Sequence, residues 1–321
     1  MTIRHHRLWR SRLKNGLQTL LILTGLSLVL SIPGYLLAGV AGVLVCLAAV
    51  LIAVYLSSWV PARLILASAG AGLLQRHQAP ELYHVLDALY QRAGLSISPR
   101  LYYAPSPDLN AFAVGDRRDG GIALTDGLLR TLSLRQLAGV LAHEVSHLRH
   151  NDTRVMSMAA AMSRLTLWVA TLAQVVLIMM VPMMIRGEAQ MPWLALLLVA
   201  LSPTVSSLLQ LALSRNREYT ADLDAVAMTG DPRGLASALE VLERFHGAWL
   251  ASLFGRHEPA WFEWLRTHPP TQERVRRLMA LGERPRDDGR LPIPPDSDAT
   301  HSTIIERPGP LGRRYWIVRR R

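Results

Sequence analysis

Leu141-Ala142-His143-Glu144-Val145-Ser146-His147 is the stretch on which the reading of this chain turns. Histidines four apart share one face of a helix, so both imidazoles can converge on one metal ion. A glutamate beside the first can then reach a water on that ion. The series Leu134, Leu137, Leu141, Val145 and Leu148 surrounds the motif at helical spacing and predicts a buried helix, in which a polar triplet needs a purpose. Ser133 with Gln136 three residues on forms a capping-box pattern, so the helix is predicted to start after Ser133 and to end near His150. The plainer alternative, a surface helix with incidental histidines, does not account for the apolar series.

A catalytic zinc takes three protein ligands and keeps one position open, so a third group is needed. His150 lies on nearly the same face, but three imidazoles stacked along one straight helix do not surround an ion tetrahedrally; it is assigned to the surface or to a supporting place. Glu218, in Ser214-Arg215-Asn216-Arg217-Glu218-Tyr219-Thr220-Ala221-Asp222, is the better candidate, because a carboxylate on a second helix can close the site from the opposite side. Asp222 lies one turn further on and is placed to accept the other ring N–H of a metal-bound histidine. An ordinary charge cluster beside a membrane is the competing account of these residues.

On both sides of this chemistry the chain is apolar. No residue between Lys14 and Arg63 is charged, and Ser31-Ile32-Pro33-Gly34 interrupts the run near its middle. Such a length crosses a hydrocarbon core of about 30 Å twice, so a helical hairpin is predicted at 17–32 and 35–56. Two more uncharged stretches, 165–185 and 189–214, flank Arg186-Gly187-Glu188; the second contains Pro192 and Pro203, which predict a kink or partial entry. A secretory signal is the alternative for the first run, but no small-residue cleavage site follows it.

Apolar residues make up 50% of the 321 and charged residues only 18%, a balance that argues against a soluble globular domain. The single cysteine, Cys46, excludes a disulfide framework. The net charge is +11, and many of the basic residues lie beside the apolar runs. Arg4, Arg7, Arg10, Arg12 and Lys14 precede the first, while the loop at Ser31–Gly34 carries none, so the amino terminus is expected in the cytoplasm. With four crossings, 61–164 and everything after 215 fall on that same side. Within the first of these regions a helix is predicted at 81–93 and short strands at 100–103, 111–114 and 121–124, and Asp231-Pro232 opens a further helix.

The segments Asn110-Ala111-Phe112-Ala113, Gly139–His147, Ser214–Asp222 and Thr267-His268-Pro269-Pro270-Thr271, in that order after a hydrophobic hairpin, resemble the HtpX-type membrane metalloproteases, grouped with the CAAX prenyl proteases. The resemblance covers about residues 10–280. It implies that His143, His147 and Glu218 bind one zinc ion per chain, that Glu144 is the catalytic base and that Asp222 supports them. It also implies that Asn110, Ala111 and Phe112 belong to an edge strand that holds an extended substrate. His268 or Tyr219 is a candidate donor to the anionic intermediate. Two departures stand out: His147 is followed by Leu148-Arg149-His150-Asn151-Asp152 where an Asn-Arg-Asp ending is expected, and the chain beyond Gly282 has no counterpart.

The expected architecture is a mainly α membrane protein with about four transmembrane helices and a cytoplasmic gluzincin-like protease domain containing a small sheet. Its segments are a basic leader and hairpin (1–60), the first protease part (61–164), a second hairpin (165–214), the second protease part (215–282) and a disordered basic tail (283–321). The expected function is zinc-dependent endopeptidase action on misfolded or membrane proteins, at the cytoplasmic face of a bacterial inner membrane. Its partners are then the bilayer and unfolded polypeptides, with no specific nucleic acid. A prenyl-peptide-type processing protease and a membrane-tethered binding protein that uses the basic tail are the alternatives.

Overall fold

The computed structural model describes residues 2–57, 62–68, 70–115, 117, 119–187, 193–254, 271–282, 291, 305–308 and 314–317. The chain divides into two compact units, one formed by 1–59 with 155–216 and the other by 60–154 with 217–321.

The first unit is helical. Helix α1 (Thr2–Ser57) is two helices joined at a break, because Ala38 (φ −147°, ψ 27°) and Gly39 (φ 57°, ψ −142°) leave helical geometry. The break lies later than the Ser31–Gly34 position that the sequence suggests. Gly39 adopts a region open only to glycine. Pro33 meanwhile stays within helix, where the nearby Ser31 hydroxyl donates to the Ser27 carbonyl at 2.7 Å. The two arms do form a hairpin: Ile22, Leu26 and Leu30 pack with Cys46 and Val50. They also meet at glycines, since a Cβ on Gly42 would collide with the Gly34 carbonyl oxygen.

Residues 155–179 of α6 (Asp152–Met179) and 193–216 of α8 (Trp193–Thr229) supply the rest of this unit, with the short α7 (Val181–Ile185) after α6, while 217–229 of α8 belong to the second unit. Among the described residues, three helical stretches are long and apolar enough to cross a membrane: Gly16–Ile52, Asp152–Met183 and Trp193–Thr229. Their outer faces carry exposed large side chains such as Leu44, Trp168, Leu172 and Leu197, an arrangement suited to lipid and costly in water. Several of the hydroxyls they carry are satisfied locally. Thr166 and Thr171 bond the carbonyls one turn back, and Ser206 bonds Ser163 across to α6. Pro203 cannot donate to the Val199 carbonyl, and the Ser202 hydroxyl takes that place at 2.9 Å, so α8 continues past its proline.

The second unit surrounds one helix. Helices α2 (Ala62–Ser68) and α3 (Pro80–Ala93), strands β1 (Gly72–Leu73), β2 (Arg100–Ala104), β3 (Ala111–Val114) and β4 (Gly121–Thr125), and helix α4 (Asp126–Thr131) lead to α5 (Leu134–His150). The sheet order is β1-β2-β4-β3, with β2 parallel to β4 and both outer pairings antiparallel, so β3 lies at an edge. Helices α9 (Pro232–Phe254) and α10 (Thr271–Gly282) complete the unit. The capping box at Ser133 is present: its hydroxyl accepts from the Gln136 amide and Gln136 Oε1 from the Ser133 amide. Asp231 caps α9, its carboxylate accepting from the Gly234 amide at 3.1 Å.

Helix α5 occupies the core, its Leu137, Leu141, Val145 and Leu148 fully buried among side chains of α3, the sheet and α9. Gly139 permits the approach of α9, since a Cβ there would lie 3.0 Å from the Leu235 backbone. In the tail expected to be disordered, Leu291 is buried and its amide donates to the Thr229 carbonyl. Two strands, β5 (Ile305–Pro308) and β6 (Arg314–Ile317), pair antiparallel.

Candidate metal centre

One turn of α5 separates His143 from His147, and their Nε2 atoms stand 3.1 Å apart with the rings edge to face. From α8, Glu218 brings Oε2 to 3.3 Å from His143 Nε2 and Oε1 to 3.7 Å from His147 Nε2. Ligands about 2.0–2.1 Å from a tetrahedral zinc are separated from one another by about 3.3 Å. The nitrogen pair and the nearer carboxylate contact are close to that spacing, and the other carboxylate oxygen lies somewhat further off. One ligand atom from each of the three side chains falls within 4.8 Å of the others, a group able to hold a metal ion.

The far side of each imidazole meets a carboxylate. Asp222 Oδ1 lies 3.0 Å from His143 Nδ1, and Asp152 Oδ2 lies 2.9 Å from His147 Nδ1. A proton held on each Nδ1 leaves a lone pair on each Nε2, so two lone pairs and a carboxylate face one another, the arrangement that a cation relieves. Charge points the same way. Glu144, Asp152, Glu218 and Asp222 are all buried, and the guanidiniums among them are Arg217, 2.6 Å from Asp152, and Arg274, on Asp222 and Glu218. Buried carboxylates are costly unless positive charge faces them, and a cation held by the trio adds to what these guanidiniums supply. Burial opposes a proton on His143, but Asp222 and Glu218 outweigh it and push the imidazole up to about 10. The residues present therefore fit a divalent ion.

Glu144 follows His143 and leaves the ligand trio free of its own carboxylate. Burial pushes that carboxyl above the ordinary range, the neighbouring imidazoles pull against the shift, and the backbone of Ala113 on β3 hydrogen-bonds it. The edge strand and the glutamate are thus adjacent.

Other residues singled out by sequence fall as follows. His150 turns away from the trio: its Nδ1 lies 3.2 Å from the Ser146 carbonyl oxygen and its Nε2 3.4 Å from Asp224. Asn110 precedes β3, and its backbone is bonded on both sides to Thr125, its amide donating to Oγ1 and its carbonyl accepting from the amide. Ala111 and Phe112 lie in β3, paired with Leu124 and Ala123. Tyr219 lies under the Arg277 guanidinium, 3.9 Å from the ring centroid, and is hydrogen-bonded to Glu273. His268 lies outside the described residues.

Three participants escaped the sequence reading. Asp152 sits just beyond α5, where Asn151 adopts a left-handed conformation (φ 54°) that ends the helix and turns the chain. Arg217 was visible within its motif but without a role. Arg274 was invisible, being brought to Asp222 only by the docking of α10.

The sequence model of peptidase family M48 matches residues 76–281, a stretch that contains the whole cluster. A protease HtpX homolog of Acaryochloris marina (strain MBIC 11017) is 39% identical over 283 residues, spanning 83% of this chain and 94% of the relative. Homologs with the same description from Thermococcus sibiricus and Ralstonia nicotianae are 32% and 29% identical, over 81% and 84% of this chain and 93% and 97% of their own lengths. The histidine pair and its carboxylate, the three apolar helices and these near full-length matches agree: the chain belongs to peptidase family M48, among the HtpX-type membrane proteases.

Proposed function

We propose that the chain is a zinc-dependent endopeptidase of the bacterial inner membrane that hydrolyses misfolded or membrane proteins at the cytoplasmic face. The observation that carries the zinc assignment is the convergence of His143, His147 and Glu218, whose ligand atoms lie within 4.8 Å of one another, with Asp222 and Asp152 behind the two imidazoles. His143, His147 and Glu218 hold the ion, which when bound supplies Lewis acidity, making water more acidic and the scissile carbonyl more electrophilic.

Glu144 takes the proton of the attacking water and returns it to the leaving amine, so the carboxylate is regenerated at each turnover. Its raised affinity for a proton, caused by burial, suits a base that must hold the proton between the two transfers. The edge strand β3, hydrogen-bonded to Glu144 through Ala113, supports the further reading that Asn110, Ala111 and Phe112 border the bound substrate. An extended peptide would pair along that edge, which favours unfolded segments over folded ones. His268 is retained as a candidate donor to the developing oxyanion. Four crossings follow if both arms of α1 traverse the bilayer; the basic residues before Gly16 then place the soluble parts in the cytoplasm.

The test is cleavage of an unstructured protein by the full chain in detergent, with and without a zinc chelator. Chelator-sensitive cleavage restored by zinc is expected; chelator-insensitive cleavage overturns the proposal.

A further inference from the structure

Arg274 is 5% exposed and comes from α10, which is anchored in the core through Leu278. Its Nε and Nη2 each lie 2.7 Å from one oxygen of Asp222, and its Nη1 lies 3.1 Å from Glu218 Oε2. One planar guanidinium thus hydrogen-bonds both oxygens of Asp222 and forms an ion pair with Glu218, one turn away on α8. Of these, one is the carboxylate of the trio and the other stands behind His143. A guanidinium fork fixes both distances and directions, which a point charge cannot do.

We propose that Arg274 is a positioning residue of the metal centre, holding Glu218 and Asp222 in register with the histidine pair. This rests on the assignment of the trio to zinc. In this role α10 belongs to the centre although it supplies no ligand, and its docking is a condition for tight metal binding.

The sign of one measurement separates positioning from simple charge. If Arg274 acted only through its charge, removing it would leave the site more negative and a divalent cation would bind more tightly. If it acts by orientation, the freed carboxylates turn away and the cation binds more weakly. Loss of an outer group that orients a ligand typically costs about 10–100-fold in metal affinity.

The experiment is chelator competition for Zn2+ with the full chain in detergent, comparing wild type with Arg274→Gln, Arg274→Lys and Arg277→Ala. Absorption spectra of the Co2+-loaded proteins provide the second readout. Arg274→Gln should bind zinc about 10–100-fold more weakly, with Arg274→Lys in between, and the cobalt spectrum of both should differ from wild type. Arg277→Ala removes a contact of the same helix with Tyr219 and should leave affinity within about twofold, a control for general loosening of α10. Should Arg274→Gln fail to fold, Arg274→Lys carries the comparison alone. Unchanged or tighter zinc binding, an unaltered cobalt spectrum, or an equal loss in Arg277→Ala overturns the proposal. A wild-type chain that binds no zinc defeats the metal assignment itself, a different result from variants that bind as well as wild type.

Discussion

Asp152 accepts from Nδ1 of His147 at 2.9 Å with one carboxylate oxygen and from Arg217 at 2.6 Å with the other. It is 2% exposed, and these two partners offset the cost of burying a carboxylate. Through them, the residue that follows the motif helix fixes which nitrogen of His147 keeps its proton and which is free for a metal.

Asp152→Asn preserves the volume and removes the charge. It is expected to weaken zinc binding about 10–100-fold and to destabilise the chain, since Arg217 loses its anion. Chelator competition and thermal unfolding check the two effects. An Asn variant with wild-type zinc affinity would remove Asp152 from the centre.

Gly139→Val should destabilise the second unit without touching the metal groups. The added side chain starts 3.0 Å from the Leu235 backbone, tighter than ordinary contact, so the crossing must open to admit it, and overpacking of this kind costs about 1–3 kcal/mol. Unfolding midpoints in chelator measure it; an unchanged midpoint would show that α9 shifts freely.

A pH effect is expected at Asp87, which accepts two hydrogen bonds from Arg76 and one from Ser98. The Arg76 guanidinium holds this carboxyl below the usual range, burial acting against the shift. A depressed folded value means stabilisation that is present above the unfolded pKa of about 3.9 and lost as pH falls through the folded one. The contribution is small because the pair is partly exposed. The gap in unfolding midpoint between wild type and Asp87→Asn, measured in chelator, should therefore be largest near neutrality and close below about pH 4. A gap that persists or widens in acid contradicts the assignment.

Much of the site was legible because its signals are local. The capping box of Ser133 and Gln136, the apolar series of α5, the spacing of His143 and His147 and the one-turn separation of Glu218 and Asp222 each lie within a few residues. The strands at 100–104, 111–114 and 121–125 likewise follow from short apolar runs between turns. What escaped depends on geometry that spacing does not encode. Asp152 is five residues past His147, off its face on a straight helix, and reaches it because Asn151 turns the chain. Arg274 is one arginine in a polar helix until α10 docks. In the hairpin, Pro33-Gly34 is the stronger punctuation on paper, yet the turn forms at Gly39, where backbone freedom is used.

The central claim is tested most directly by zinc content and peptide hydrolysis measured together on wild type, Glu144→Gln and Glu218→Ala, each as the full chain in detergent. Wild type and Glu144→Gln should each retain one zinc ion per chain, with hydrolysis lost in the glutamine variant, while Glu218→Ala should lose both metal and activity. Cleavage at the wild-type rate by Glu144→Gln, or undiminished zinc in Glu218→Ala, would contradict it.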